Sequence, residues 1–104
     1  MRRGVTMLDP ERTYLDASVE LAPDVTLFPG TILRGSTVIG AGAEIGPDVH
    51  LMDCAVGERA IVQYTVGQEA DVGGDARVGP WASLGPGAKV APGAVTGPFF
   101  KAPD

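Results

Sequence analysis

Few side chains in this chain of 104 residues could take part in chemistry, and they lie far apart in the sequence. His50 is the only histidine, and therefore the one candidate for a general base near neutral pH. Cys54 is the only cysteine, which excludes an internal disulfide and a cysteine-based zinc motif. Because neither residue has an activating partner close by in the sequence, we expect His50 to be a surface histidine and Cys54 to be structural.

The remaining polar and aromatic candidates also lack a catalytic pattern. The acidic residues of the central part have no spacing typical of metal ligands, and we expect them to be solvated turn residues: Asp48, Asp53, Glu58, Glu69, Asp71 and Asp75. Tyr64 and Trp81 have two interpretations. Aromatic residues are enriched in subunit interfaces, but these two could equally cover the surface of their own subunit.

A six-residue period predicts the elements that position these side chains. Thirteen slots follow this period in two runs, and twelve of them hold Leu, Ile or Val: Leu15, Leu21, Leu27, Leu33, Ile39, Ile45 and Leu51, then Val66, Val72, Val78, Leu84, Val90 and Thr96. A period of six is typical of short strands joined by turns, and it does not suit a helix with 3.6 residues per turn.

Two further positions repeat with the same period. Four residues after each slot the chain holds Ala, Val or Thr, as at Val19, Thr31 and Ala55, and Phe100 alone breaks this rule. Glycine often follows the slot directly, and we expect positive φ there, as tight turns require: Gly40, Gly46, Gly67, Gly73, Gly79, Gly85 and Gly97.

These patterns predict an all-β fold, a parallel β-helix of the hexapeptide-repeat type with nearly five coils. Three hexapeptides make one coil of triangular cross-section, and each coil buries its inward residues against its neighbours. We expect residues 15–104 to form the β-helix and residues 1–14 to be an N-terminal connecting segment or cap. Between Leu51 and Val66 the register slips, over residues 52–65, where fifteen residues replace eighteen. This slip predicts one shortened or re-turned coil.

Composition excludes several functional classes. The net charge of −5, with lysines and arginines scattered singly, argues against nucleic acid or an anionic membrane as a partner. No stretch of about eighteen apolar residues could span a bilayer, and the N-terminal residues lack the apolar core of a signal peptide. We therefore expect a cytoplasmic protein of one domain.

Four segments, GVTMLDPERTYLD, VTLFPGTIL, STVIGAGAEIGPDVHLMDCAVG and VGPWASLGPGAKV, resemble one family across residues 4 to about 97. They are similar to the first coils of the acetyltransferase domain of the bacterial bifunctional N-acetylglucosamine-1-phosphate uridylyltransferase/glucosamine-1-phosphate N-acetyltransferase. The resemblance implies a left-handed β-helix and a homotrimer. In the complete enzyme it also implies acetyl-CoA as the acetyl donor, Mg²⁺ for uridylyl transfer, and a role in making UDP-N-acetylglucosamine for the cell wall.

The chain departs from this family at the positions that hold the sugar phosphate. Gly85 stands where the family has an arginine, and Pro103, eighteen residues later, stands where it has a lysine. Lys101 is the remaining candidate for a substrate-binding cation, although a terminal lysine is often merely solvated. The resemblance places the family's catalytic histidine and acetyl-CoA contacts further toward the C-terminus than residue 104, so we assign no catalytic, cofactor-binding or metal-binding residue in this chain.

Three hypotheses about function follow. The chain is the β-helix part of an enzyme of this family and inactive alone, or it is a free-standing, non-catalytic trimeric hexapeptide-repeat scaffold or binding protein. The third hypothesis, a β-helical γ-class carbonic anhydrase, requires three histidines for zinc, and one histidine argues strongly against it.

Overall fold

A computed structural model describes residues 5–102, which wind into a β-solenoid with three parallel sheets as its faces. The first face, face I, contains β1 (Thr6–Met7), β4 (Thr26–Leu27), β7 (Glu44–Ile45), β10 (Ile61–Val62) and β13 (Arg77–Val78). Face II contains β2 (Tyr14–Leu15), β5 (Ile32–Arg34), β8 (His50–Met52), β11 (Thr65–Gln68), β14 (Ala82–Leu84) and β16 (Lys101–Ala102). Face III contains β3 (Glu20–Leu21), β6 (Val38–Ile39), β9 (Ala55–Val56), β12 (Asp71–Val72) and β15 (Lys89–Val90). The predicted parallel β-helix of nearly five coils is confirmed.

The solenoid includes residues ahead of the predicted repeat. Strand β1 pairs in parallel with β4, with Met7 beside Leu27, and a short 3₁₀ turn at Pro10–Arg12 connects β1 to β2. Within residues 5–102, no helix has the length and apolar content needed to cross a membrane.

The core consists of inward side chains stacked from coil to coil. In a strand, neighbouring side chains point to opposite sides, so one residue of each pair is buried while the next faces solvent. On face I, for example, Leu27, Ile45, Val62 and Val78 lie in register and are all buried. Because parallel strands lie about 4.8 Å apart, each of these side chains packs directly on the next.

Buried threonines occur at three of the small inward positions, where their hydroxyl groups have partners. Thr31 donates to the carbonyl oxygen of Phe28 (2.7 Å), Thr37 to that of Arg34 (2.8 Å) and Thr65 to that of Gln63 (2.7 Å). Each hydroxyl therefore satisfies a carbonyl of the preceding corner without leaving a buried polar group unpaired.

The corners of the coil have a regular backbone conformation that the sequence did not reveal. Among residues 5–102, positive φ occurs at nine non-glycine residues, and each of them directly precedes an inward residue of the next face: Asp24, Asp48, Asp53, Arg59, Tyr64, Glu69, Asp75, Trp81 and Phe99. Asp tolerates this left-handed conformation better than most residues. The acidic residues Asp48, Asp53, Glu69 and Asp75 therefore lie in corners, as predicted, whereas Asp71 lies in β12.

The expectation of positive φ at the glycines after each slot is largely wrong. Of those seven glycines, all within the described part, Gly46 and Gly79 have positive φ and the other five do not. Position 40 requires glycine because the backbone of the next coil approaches it closely. A Cβ atom there would lie 2.7 Å from the backbone nitrogen of Glu58, and a Cβ at Gly73 would lie 2.5 Å from the nitrogen of Pro92. A side chain at these points would push neighbouring coils apart.

The register slip arises from three short corners. Most corners have three residues between inward positions, but the corners at residues 52–53, 63–64 and 68–69 have two. Two assignments were therefore wrong. Cys54 is buried in place of the predicted Ala55, which is exposed, and Gly67 is inward in place of Val66, which is 59% exposed. The side chain of Leu51 fills the space beside Gly67, since its Cδ2 would be 2.9 Å from a Cβ at that glycine.

Candidate functional site

Face II presents the polar side chains that could bind a ligand. Its outward residues form two columns along the coil axis. Register pairs place His50 between Ile32 and Val66 in one column. In the other column Met52 lies between Arg34 and Gln68. A shallow pocket of about 180 Å³ lies between the columns, lined by Arg34, His50, Met52, Val66, Gly67 and Gln68.

His50, the predicted surface histidine, is half-buried in this pocket. It lies at the start of β8 and points outward, because its neighbour Leu51 points into the core. No sequence motif marks Arg34 as a binding residue, although its position directly after the inward Leu33 predicts an outward side chain. The structure therefore gives His50 a cationic and an amide neighbour, and no carboxylate lines the pocket.

Arg34 also contacts the first coil, through the Tyr14 ring. Its Cζ atom lies 5.9 Å from the centre of the Tyr14 ring, which is within the range of a cation–π interaction. Asp16 accepts a hydrogen bond from the backbone N–H of Gly35 (2.8 Å). That bond, with a side-chain hydrogen bond from Tyr14, lowers the pKa of Asp16 below its usual value, so this carboxylate stays ionised near Arg34.

Lys101, the candidate substrate-binding residue, lies on the last strand of face II. It pairs with Ser83 and is exposed. Gly85 directly follows β14, and Pro103 lies outside the described residues. Register pairs run from His50 through Val66 and Ser83 to Lys101, so three strand spacings, about 14 Å, separate the imidazole position from the lysine position. The structure does not bring these two candidates together.

Cys54 is buried inside the coil, as expected of a structural cysteine. Its Sγ donates to the carbonyl oxygen of Met52 (3.4 Å), and burial raises the pKa of the thiol above its usual value. The thiolate needed for nucleophilic or redox chemistry is therefore disfavoured.

Tyr64 and Trp81 form a ladder with Phe99 at the corner between faces I and II. The rings of Tyr64 and Trp81 stack at 4.6 Å between centroids with an angle of 4° between their planes. Trp81 and Phe99 are tilted by 36° at 6.2 Å. These contacts cover coil surface within one subunit, and Trp81 and Phe99 remain 55% and 78% exposed. A role at a subunit interface stays a prediction.

The acidic side chains are dispersed over the corners. In the described range, no three His, Cys, Asp or Glu residues lie close enough together to hold a metal ion. Arg59 and Asp75, at one corner of successive coils, form a two-pronged ion pair with N–O distances of 2.9 and 3.0 Å. This hydrogen bonding lowers the pKa of Asp75 and raises that of Arg59.

No protein-family model matches the chain. Curated relatives named bifunctional protein GlmU are 51% identical over 70 residues in Micrococcus luteus and 51% over 72 residues in Kineococcus radiotolerans. These matches cover 67% and 69% of this chain. The chain is similar to a segment of GlmU.

The GlmU match from Cutibacterium acnes is 53% identical over 62 residues, which is 60% of this chain. The resemblance predicted from the four sequence segments is therefore confirmed. The aligned segment is short, since these matches span 14% to 15% of the length of the GlmU proteins. The chain accordingly corresponds to a small part of the length of these relatives.

Proposed function

We propose that this chain is the β-helix part of a GlmU-like enzyme of UDP-N-acetylglucosamine synthesis, and that its 104 residues alone are catalytically inactive. The placement of the candidate residues on face II carries this proposal. Gly85 offers no side chain to grip a phosphate, and about 14 Å separates the positions of His50 and Lys101. In addition, no carboxylate lines the pocket of His50 that could orient its imidazole as a general base.

The residues present do not suit the cofactors that the complete family enzyme uses. A recess of about 550 Å³ on face III carries one acidic and one basic side chain, Asp71 and Lys89. A highly phosphorylated molecule such as acetyl-CoA needs a more basic surface. The dispersed carboxylates of the described part offer no shared position for Mg²⁺. We therefore derive no chemical step through either group in this chain.

Assembly is the role that the surface supports better. Large apolar side chains remain exposed on all three faces or their corners, among them Val38, Val66 and Val95. Flat faces with such residues favour association with further copies of the chain, and the family resemblance implies a homotrimer in the cytoplasm. Lys101 remains our candidate for contact with a sugar phosphate in a longer protein.

A second function is favoured by Gly85 itself. An active acetyltransferase of this family keeps its phosphate-binding arginine, so its replacement by glycine supports a free-standing, non-catalytic trimeric scaffold or binding protein. The two proposals differ in whether acetyl transfer occurs in any longer protein that contains this β-helix.

The test is an acetyl-transfer assay with glucosamine 1-phosphate and acetyl-CoA on this chain and on Gly85→Arg. The backbone at Gly85 does not have positive φ, so arginine fits there without the strain of a left-handed conformation. We expect no transfer by either protein. Transfer by the unchanged chain would contradict the proposal, and transfer by Gly85→Arg alone would show that one lost side chain, not a missing region, accounts for the inactivity.

A further inference from the structure

We propose that the pocket of Arg34, His50 and Gln68 on face II binds a small organic anion, a phosphate or carboxylate group attached to a compact apolar body. This site differs from the position of Gly85. Gly85 follows Leu84, whose register partners lead down through Gly67 and Leu51 to Leu33, so three strand spacings, about 14 Å, separate it from Arg34.

The register brings three hydrogen-bonding groups around one point. Arg34 and Gln68 lie directly below and above Met52 in one column. His50 lies two residues before Met52 on the same face of β8, so it is diagonal to both, at about 8 Å between Cα positions. A guanidinium can grip an anion with two parallel N–H donors, and the imidazole and carboxamide can add one donor each.

The electrostatic setting favours an anion at this point in an otherwise acidic chain. The net charge is −5, yet the residues lining this pocket include no Asp or Glu. Asp16 accepts the N–H of Gly35, and Asp53 accepts the N–H of Ser36, so both carboxylates are directed to the backbone of the corner after Arg34. In contrast, Asp71 lines the recess of about 550 Å³ on face III, and Glu20 and Glu58 line another recess. Arg59 is paired with Asp75.

The apolar surroundings indicate what the anion is attached to. Met52, in the column of Arg34, and the exposed Val66, in the column of His50, give the pocket its apolar surface. A second recess of about 350 Å³, lined by Tyr14, Ile32 and Arg34, adjoins it through the shared arginine. A ligand whose charged group meets Arg34 can therefore lay a ring or short apolar chain on Ile32 and Tyr14, where aromatic and aliphatic surface is available.

The test is a titration of the ¹⁵N-labelled full chain, followed by amide shifts in two-dimensional NMR. The probes are phenyl phosphate, benzoate, inorganic phosphate and uncharged benzyl alcohol. We expect phenyl phosphate or benzoate to shift amides of β5, β8 and β11 with a dissociation constant of about 1 mM or lower. The first two probes distinguish a phosphate from a carboxylate, and inorganic phosphate shows how much the apolar body contributes.

Two variants and one matched control decide the outcome. Arg34→Gln and Gln68→Glu should each weaken binding about fivefold or more, because one removes a cation and the other adds a carboxylate beside it. Arg77→Gln removes an exposed strand cation from face I and should leave the affinity within about twofold. Unchanged spectra outside β5, β8 and β11 will show that each variant is folded.

Three results would overturn the proposal. These are the absence of localised shifts with both anionic probes, equal binding of benzyl alcohol, and equal weakening by Arg77→Gln. Sedimentation of Arg34→Gln provides a further check. If this variant changes the mass of the particle and not the affinity for the probes, the pocket is a contact between subunits and the proposed ligand site is wrong.

Discussion

Replacing Gly40 with alanine tests the stacking of the coils at a single atom. Gly40 lies at the corner after β6, and its N–H donates to the carbonyl oxygen of Val56 on the next coil (2.8 Å). A Cβ atom at Gly40 would be 2.7 Å from the backbone nitrogen of Glu58 and 2.8 Å from the carbonyl carbon of Gly57. Both neighbours are backbone atoms, so no side-chain rotation can relieve the contact.

The expected cost follows from this geometry. Ordinary van der Waals contact begins at 3.4 Å, so the two coils must separate locally by about 0.7 Å. Overpacking that moves backbone costs about 1–3 kcal/mol, and replacing glycine recovers about 0.4–1 kcal/mol by restricting the unfolded chain. We therefore expect Gly40→Ala to lower the free energy of unfolding by about 1–2 kcal/mol, with a melting temperature about 10 °C lower.

Urea unfolding followed by circular dichroism measures this change, and Gly97→Ala is the matched control. Gly97 also follows a predicted slot, but a Cβ there has no atom within 4 Å and its φ is not positive. We expect Gly97→Ala to be neutral or slightly stabilising. Equal stability of the two variants would refute the argument that close approach of coils, and not turn conformation, selects glycine at position 40.

Three further predictions concern the core, the thiol and the corner ion pair. Leu33→Ala should lower the free energy of unfolding in urea by about 3 kcal/mol, because the Leu33 side chain is fully buried. Val66→Ala, at an exposed position, should lower it by less than about 0.5 kcal/mol. Similar losses for both variants would mean that the inward register is misassigned. Cys54 should react slowly with a thiol reagent in buffer and quickly in urea, since it is buried and its pKa is raised; equal rates would place the thiol at the surface. Arg59 lowers the pKa of Asp75 in the folded chain. The Asp75 carboxylate therefore contributes to stability above the ordinary carboxyl pKa of about 4, and this contribution is lost as the pH falls through the lower pKa of the folded state. As the pH falls from about 5 to about 3, Asp75→Asn should therefore lose less stability than the unchanged chain. Parallel curves of unfolding free energy against pH would contradict this.

The period of the sequence predicted the coil but not its exact register. Leu, Ile and Val at every sixth position specify which side chains stack, because only a solenoid with three faces buries them all. The assignments failed where corners lose one residue. Val66 fits the apolar pattern better than Gly67, yet Gly67 is inward because Leu51 and Cys54 already fill the core beside it. That choice depends on side-chain volume in the neighbouring coil, which a one-dimensional period does not contain.

The candidate site was even less accessible from the sequence. The sequence marks His50 as its only histidine, but Arg34 and Gln68 lie 16 and 18 residues away from it and form no local motif with it. Parallel pairing of β5, β8 and β11 brings the three together. The shortened corners between β8 and β11 reduce the spacing between register partners to 16 residues. A fixed spacing of eighteen residues therefore does not predict the pair His50 and Val66.

The mass of the particle in solution tests most directly the claim that this β-helix is an assembling scaffold. We would measure it by sedimentation equilibrium at micromolar concentration. The account predicts one species with three times the 10.7 kDa mass of the chain. A particle of a single chain mass at all micromolar concentrations would contradict it.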